Sequence, residues 1–186
     1  MISSVIAKVC HDLISPVNGL GLFIECIEPE LSKENSDQLN RYLNNFKSVV
    51  ELFRLFGTKD DTEIHFEQVT NIIKNHANLK GIECRFYKED IPEIVKAWFA
   101  KAVLYMYLFV NKSIIKSGTV NFFINNDSIN LNFSSLYNVN EINVNDIAQD
   151  SKDIFLRLAK AEVKKRFSKE IKFEKIDNNN AKVEMV

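Results

Sequence analysis

The chain has 186 residues, 46% of them hydrophobic, with 24 Lys plus Arg set against 25 Asp plus Glu. That is enough apolar material for a buried core without covalent staples, and it excludes a disordered, collagenous or disulfide-scaffold protein. A net charge of -1 and a lone basic cluster, Lys164-Lys165-Arg166, argue against nucleic acid as a partner. Cys10, Cys26 and Cys84 form no Cys-x-x-Cys pair, which suits reduced thiols and a cytoplasmic setting. The start, Met1-Ile2-Ser3-Ser4, is not that of a signal peptide, and no run of 18 apolar residues predicts a membrane span.

In chain order, Ile2, Val5, Ile6, Val9, Leu13, Val17, Leu20, Ile24 and Ile27 recur at mostly three- and four-residue spacing. This predicts a helix over about 2–28, kinked near Pro16. Leu39, Leu43, Phe46, Val50 and Phe53 alternate by four and three. They predict a second helix over about 36–57, with this stripe as its main seam. Gly57 is its stop. Residues 1–57 therefore form an antiparallel helical hairpin. Its apolar faces are wider than one partner helix covers, with Ile6, Ile24, Ile27, Tyr42, Val49 and Phe56 left over. Either a second copy completes a four-helix bundle, or the rest of the chain folds back over the hairpin.

After the charged break Thr58-Lys59-Asp60-Asp61, the pattern becomes mixed. It predicts a helix at 65–79, a strand at 82–87, an apolar helix at 92–112, strands at 119–125 and 128–135, a helix at 152–167, and a hairpin of 170–176 with 181–186. The fold class is α+β: the helical hairpin, then a two-layer α/β sandwich over residues 62–186 with its helices on one face of a sheet.

One segment carries chemistry: Cys10-His11-Asp12-Leu13-Ile14-Ser15-Pro16-Val17. At 100° per residue, His11 falls about 200° from Val9, opposite the apolar face, with Lys8, Ser15, Asn18 and Leu22 on its side. It is an exposed histidine midway along a helix. A neutral imidazole can take a phosphoryl group on Nε2 when Nδ1 is held by an acceptor. Asp12 is a carboxylate at hand to orient it, and Pro16 bends the helix beside it. His65 and His76, eleven apart, lack metal-ligand spacing and read as surface residues.

His11-Asp12-x-x-Ser15-Pro16 resembles the H-box of sensor-kinase dimerisation and histidine-phosphotransfer domains, commonly H-E-x-x-T-P. The longer run, and the layout of hairpin plus α/β half, is similar to the ChpT-type histidine phosphotransferases, in which the second part is a degenerate kinase ATP-binding domain. A working ATP domain carries an asparagine-bearing helix, a D-x-G-x-G box and a later glycine-rich box. Here Asn111 is the sole asparagine of helix 92–112, the corresponding turn reads Asn125-Asn126-Asp127-Ser128, and no glycine follows Gly118. The resemblance implies a homodimer that relays a phosphoryl group through His11 between receiver-domain aspartates. It implies Asp12 as the orienting carboxylate, Ser15 and Pro16 as shapers of the helix, and Lys8, Asn18, Gly19 and Leu22 as the docking face. The partners would be response-regulator receivers and a hybrid histidine kinase receiver. Mg²⁺ would come from the receiver; the chain would need no cofactor of its own and would bind no ATP. The alternative is a non-catalytic dimeric adaptor for receiver domains.

Overall fold

The computed structural model of the chain describes residues 17–21, 33–114, 117–136 and 154–186. It divides into two compact units, Met1–Gly57 and Thr58–Val186, so the charged break at 58–61 opens the second unit.

In the first unit, residues 17–21 are helical. Helix α1, Lys33–Gly57, begins three residues before the expected start and ends at Gly57. Its buried residues are Ser48, Leu52 and Leu55. On a helical projection these lie about 160–220° from Leu39, opposite the stripe of Leu39, Leu43, Phe46, Val50 and Phe53. Within that stripe, Leu43 is 47% and Val50 40% exposed. Tyr42, expected to be left over beside the seam, stands against Gly19. The sequence pattern found the heptad seam of α1 but not the side that carries Leu52 and Leu55: the seam is the more open side.

In the second unit, short strand β1 (Glu63–His65) leads into α2 (Phe66–Asn78). Phe66, Val69, Ile73 and Ala77 bury one face of α2 at helical spacing. Gly81 takes a positive φ of 68°, which glycine adopts without steric cost, and turns the chain into β2 (Ile82–Lys88). β3 (Ile94–Lys96) pairs antiparallel with β1 and leads into α3 (Ala97–Asn111). The expected helix start at 92 is thus five residues early. This two-stranded ribbon escaped the sequence reading because three residues show no period. An ion pair of Lys96 with Glu63, 2.8 Å, lies across it.

The hairpin β4 (Gly118–Asn125) and β5 (Ser128–Ser135) comes next, followed by α4 (Ile154–Phe167), β6 (Ile171–Lys175) and β7 (Asn180–Met185). The five-stranded sheet runs β2-β4-β5-β7-β6, with β2 and β4 parallel and the other neighbours antiparallel. Alternate residues Val120, Phe122 and Ile124, Ile129, Leu131 and Phe133, and Ala181, Val183 and Met185 are buried. They form one apolar face, against which the helices pack. In α3 all residues except Trp98 are buried, so this helix is the centre of the core. A fully buried Phe122 or Leu104 contributes about 1.5–3 kcal/mol by leaving water.

Gly118 has a steric role. A Cβ there would collide with the carbonyl oxygen of Ser134 on β5. Gly118→Ala should therefore cost about 1–3 kcal/mol by overpacking the β4–β5 ladder. Chemical denaturation checks this; an unchanged midpoint would mean that the strands separate there freely.

Candidate functional site

Of the eight positions singled out for phosphotransfer, Lys8, His11, Asp12, Ser15, Pro16 and Leu22 lie outside the described residues. Asn18 and Gly19 lie within them, in the helical stretch 17–21 that directly follows the His-Asp-x-x-Ser-Pro box. Asn18 is exposed. By helical phase it stands on the side assigned to His11, seven residues earlier. Gly19 is half-buried, and a Cβ there would sit 3.0 Å from the Tyr42 ring of α1. Gly19 is thus a point of close approach to the second helix, a role that its place in the docking face did not anticipate. The signal that could have found it was Tyr42 itself, a large ring opposite a residue with no side chain. A Cβ at Gly21 would meet no atom within 4 Å among the described residues.

The second unit bears on nucleotide chemistry. Asn111 ends the buried helix α3 and is only 4% exposed. Its side-chain oxygen has no hydrogen-bond partner among the described residues. The turn between β4 and β5 occupies the place read for a D-x-G-x-G box. There the Asn125 side-chain oxygen accepts hydrogen bonds from the Asp127 amide and the Ser128 hydroxyl, both 2.9 Å. Asn126 donates from Nδ2 to the Asp90 carbonyl at 2.8 Å. These side chains hold a tight hairpin closed. No backbone donor of this turn is offered by a glycine, the residue that lets a loop wrap a phosphate.

The described histidines and cysteine lie in the second unit. His65 is exposed, its Nδ1 3.6 Å from Glu93. His76, expected on the surface, is half-buried, and its Nδ1 lies 2.7 Å from the hydroxyl of the core residue Tyr107. Burial pushes the Tyr107 phenol above its ordinary range, so it stays protonated and needs a partner. That need draws the histidine in. Burial likewise pushes the Cys84 thiol up to about 12, leaving it an inert apolar filler. Among the described residues no three His, Cys, Asp or Glu side chains converge as a metal site, and no helix is long and apolar enough to cross a membrane.

No protein-family model and no curated protein matches the sequence. Solved structures do match. A structure described as a bacterial phosphotransferase is similar with a TM-score of 0.73, over 97% of this chain and 92% of its own, at 12% identity. The chain shares the fold of that phosphotransferase. The likeness covers nearly the whole of both chains, and the resemblance to ChpT-type phosphotransferases read from the sequence is borne out in fold. Two looser likenesses are to histidine kinases. AdeS of Acinetobacter baumannii matches with a TM-score of 0.43 and 10% identity over 94% of this chain and 96% of its own. The catalytic domain of ThkA matches with a TM-score of 0.48 and 9% identity over 67% of this chain and 93% of its own.

Proposed function

We propose that the protein is a histidine phosphotransferase of two-component signalling, carrying a phosphoryl group between receiver-domain aspartates on His11. The observation that carries this reading is the His11-Asp12-x-x-Ser15-Pro16 box on a chain with a phosphotransferase's fold. In the forward step, the Nε2 lone pair of neutral His11 attacks the phosphorus of an aspartyl phosphate. The N–P bond forms, the acyl P–O bond breaks, and the receiver's aspartate leaves as carboxylate. Asp12 accepts the Nδ1 proton's hydrogen bond and steadies the imidazolium character that develops. Return to a second receiver is the same step reversed. Because both ends are activated phosphates, positioning supplies most of the catalysis. The receiver brings the Mg²⁺ and the acceptor carboxylate, and the chain brings no cofactor. Lys8, Asn18, Gly19 and Leu22 make up the docking face, and the setting is the cytoplasm. Transfer of labelled phosphate from a panel of phosphorylated receivers, a hybrid kinase's receiver among them, tests the proposal. Binding without transfer would identify an adaptor instead.

The working assembly is a homodimer. The open stripe of Leu39, Leu43, Phe46, Val50 and Phe53 on α1 supports this: it is a heptad seam whose Leu43 and Val50 remain exposed in one chain. Solvent-facing apolar residues at that spacing suit a second helix of the same kind, crossing at about 20° in a four-helix bundle.

ATP has no place in this chemistry. The tight β4–β5 turn and the absence of glycine after Gly118 support this reading, because a phosphate cradle is usually built from several glycines. Mg-ATP should show no measurable heat of binding in calorimetry, and ATP alone should not label the chain. A micromolar dissociation constant would overturn this and make buried Asn111 the first residue to mutate.

A further inference from the structure

Residues 58–62 directly follow the helical unit, and their composition is that of a charged, flexible break. In the structure they are fastened at five points to α3 and α4. The amides of Ala97 and Trp98, at the start of α3, donate to the carbonyls of Thr62 (2.8 Å) and Asp60 (3.2 Å). These are helix N-terminal donors with no acceptor inside the helix. Lys101, one turn further along α3, donates to the Thr58 carbonyl and to Asp60 Oδ1, the latter at 3.0 Å. Arg166 on α4 donates from Nη2 to Asp60 Oδ2 at 3.0 Å. Both carboxylate oxygens of Asp60 are therefore held, each by a cation from a different helix.

The surroundings strengthen the grip. Lys101 is only 8% exposed, on the most apolar helix of the protein, and a buried ammonium without a counter-charge is costly. The guanidinium of Arg166 lies over the Trp98 ring, 5.3 Å from its centroid, which fixes its aim. Glu162 lies 3.8 Å from Arg166, and Lys165 lies 3.8 Å from Asp60. The hydrogen bond from Lys101 holds the Asp60 carboxyl below its ordinary value, with Arg166 and Lys165 adding to the effect.

We propose that Asp60 is the key of a clamp that fixes the entry of the chain into the α/β unit, making residues 58–62 a rigid stem and not a swinging linker. The clamp ties a segment adjacent in sequence to the helical unit onto two helices that are distant in sequence, through one carboxylate. Removing that carboxylate frees the stem and leaves the sheet intact.

Amide hydrogen exchange on the full chain, resolved residue by residue by NMR, tests this. Asp60→Ala should speed exchange at Ala97 and Trp98 at least tenfold while Leu131 and Phe133, in the sheet, stay within twofold. Arg166→Gln removes one tether and should give a smaller, severalfold rise at the same two amides. Asp61→Ala, at the exposed neighbour, should change neither. The proposal fails if Asp60→Ala and Asp61→Ala behave alike, or if Leu131 accelerates as much as Trp98, since the cluster would then serve global stability alone. Should Asp60→Ala not fold, Arg166→Gln decides: unchanged exchange at Trp98 refutes the clamp.

Discussion

His11→Gln should leave the protein folded and reduce phosphoryl uptake from a phosphorylated receiver by about 10⁴-fold or more, below detection in a transfer assay. The size follows from the chemistry, because glutamine keeps the polarity and approximate reach of the side chain but has no nucleophilic nitrogen. Helical phase puts His11 opposite the apolar face, where a substitution is expected to cost under about 0.5 kcal/mol of stability, so circular dichroism and the thermal midpoint should match the wild type. Asp12→Asn should be milder, slowing transfer by about 10²-fold, because it removes an orienting charge and leaves the nucleophile. The chain offers two other histidines as internal controls. His76 is engaged with the Tyr107 hydroxyl, and His65 lies on the exposed surface beside Glu93. His65→Gln should transfer normally. Label that persists in His11→Gln and vanishes in His65→Gln would move the acceptor to the α/β unit and sink the proposed function.

The second large effect concerns assembly. Leu43→Asp combined with Val50→Asp should convert a dimer to a monomer at micromolar concentration. Each lost apolar contact is worth about 1.5–3 kcal/mol, and two-fold symmetry repeats every change. Even a total of about 4 kcal/mol raises the dissociation constant roughly 10³-fold, before any cost of burying carboxylates. Both positions are exposed in the single chain, so the fold of the protomer should survive. Leu52→Asp is the contrasting change. Leu52 is buried within the chain, and an aspartate there should lower the thermal midpoint itself. Sedimentation equilibrium separates the cases. A wild-type mass near 21.5 kDa would dismiss the dimer, and an unaltered dimer in the double variant would place the interface elsewhere.

Much of the α/β unit was legible in the sequence. β5 falls at the expected 128–135, and α2, β2, β4, β6 and β7 lie within a residue or so of expectation. The reason is physical: one face of a single sheet is buried, so period-two alternation is written into each strand and period 3.6 into α2. The His-Asp-x-x-Ser-Pro box was legible too, because its content is a local string of residue types. Local pattern by itself therefore determined the order of the longer elements, the mixed class of the second unit, the lack of glycine after Gly118 and the candidate acceptor.

Tertiary structure decided the rest, wherever a residue's role depends on a partner far along the chain. The pairing of Glu63–His65 with Ile94–Lys96 needs two three-residue segments that show no period alone. The capture of His76 by Tyr107 spans 31 residues, and no helical projection of α2 contains the buried phenol that requires it. Asp60 read as part of a charged break until Lys101 and Arg166 closed on it, the latter from 106 residues away. Helix α1 shows the division within one element. Spacing located the seam of Leu43 and Val50, but the side that faces its own chain is the one with Leu52 and Leu55, which only the packing shows. Hydrophobic period records that a face avoids water; only the assembled chain determines what covers it.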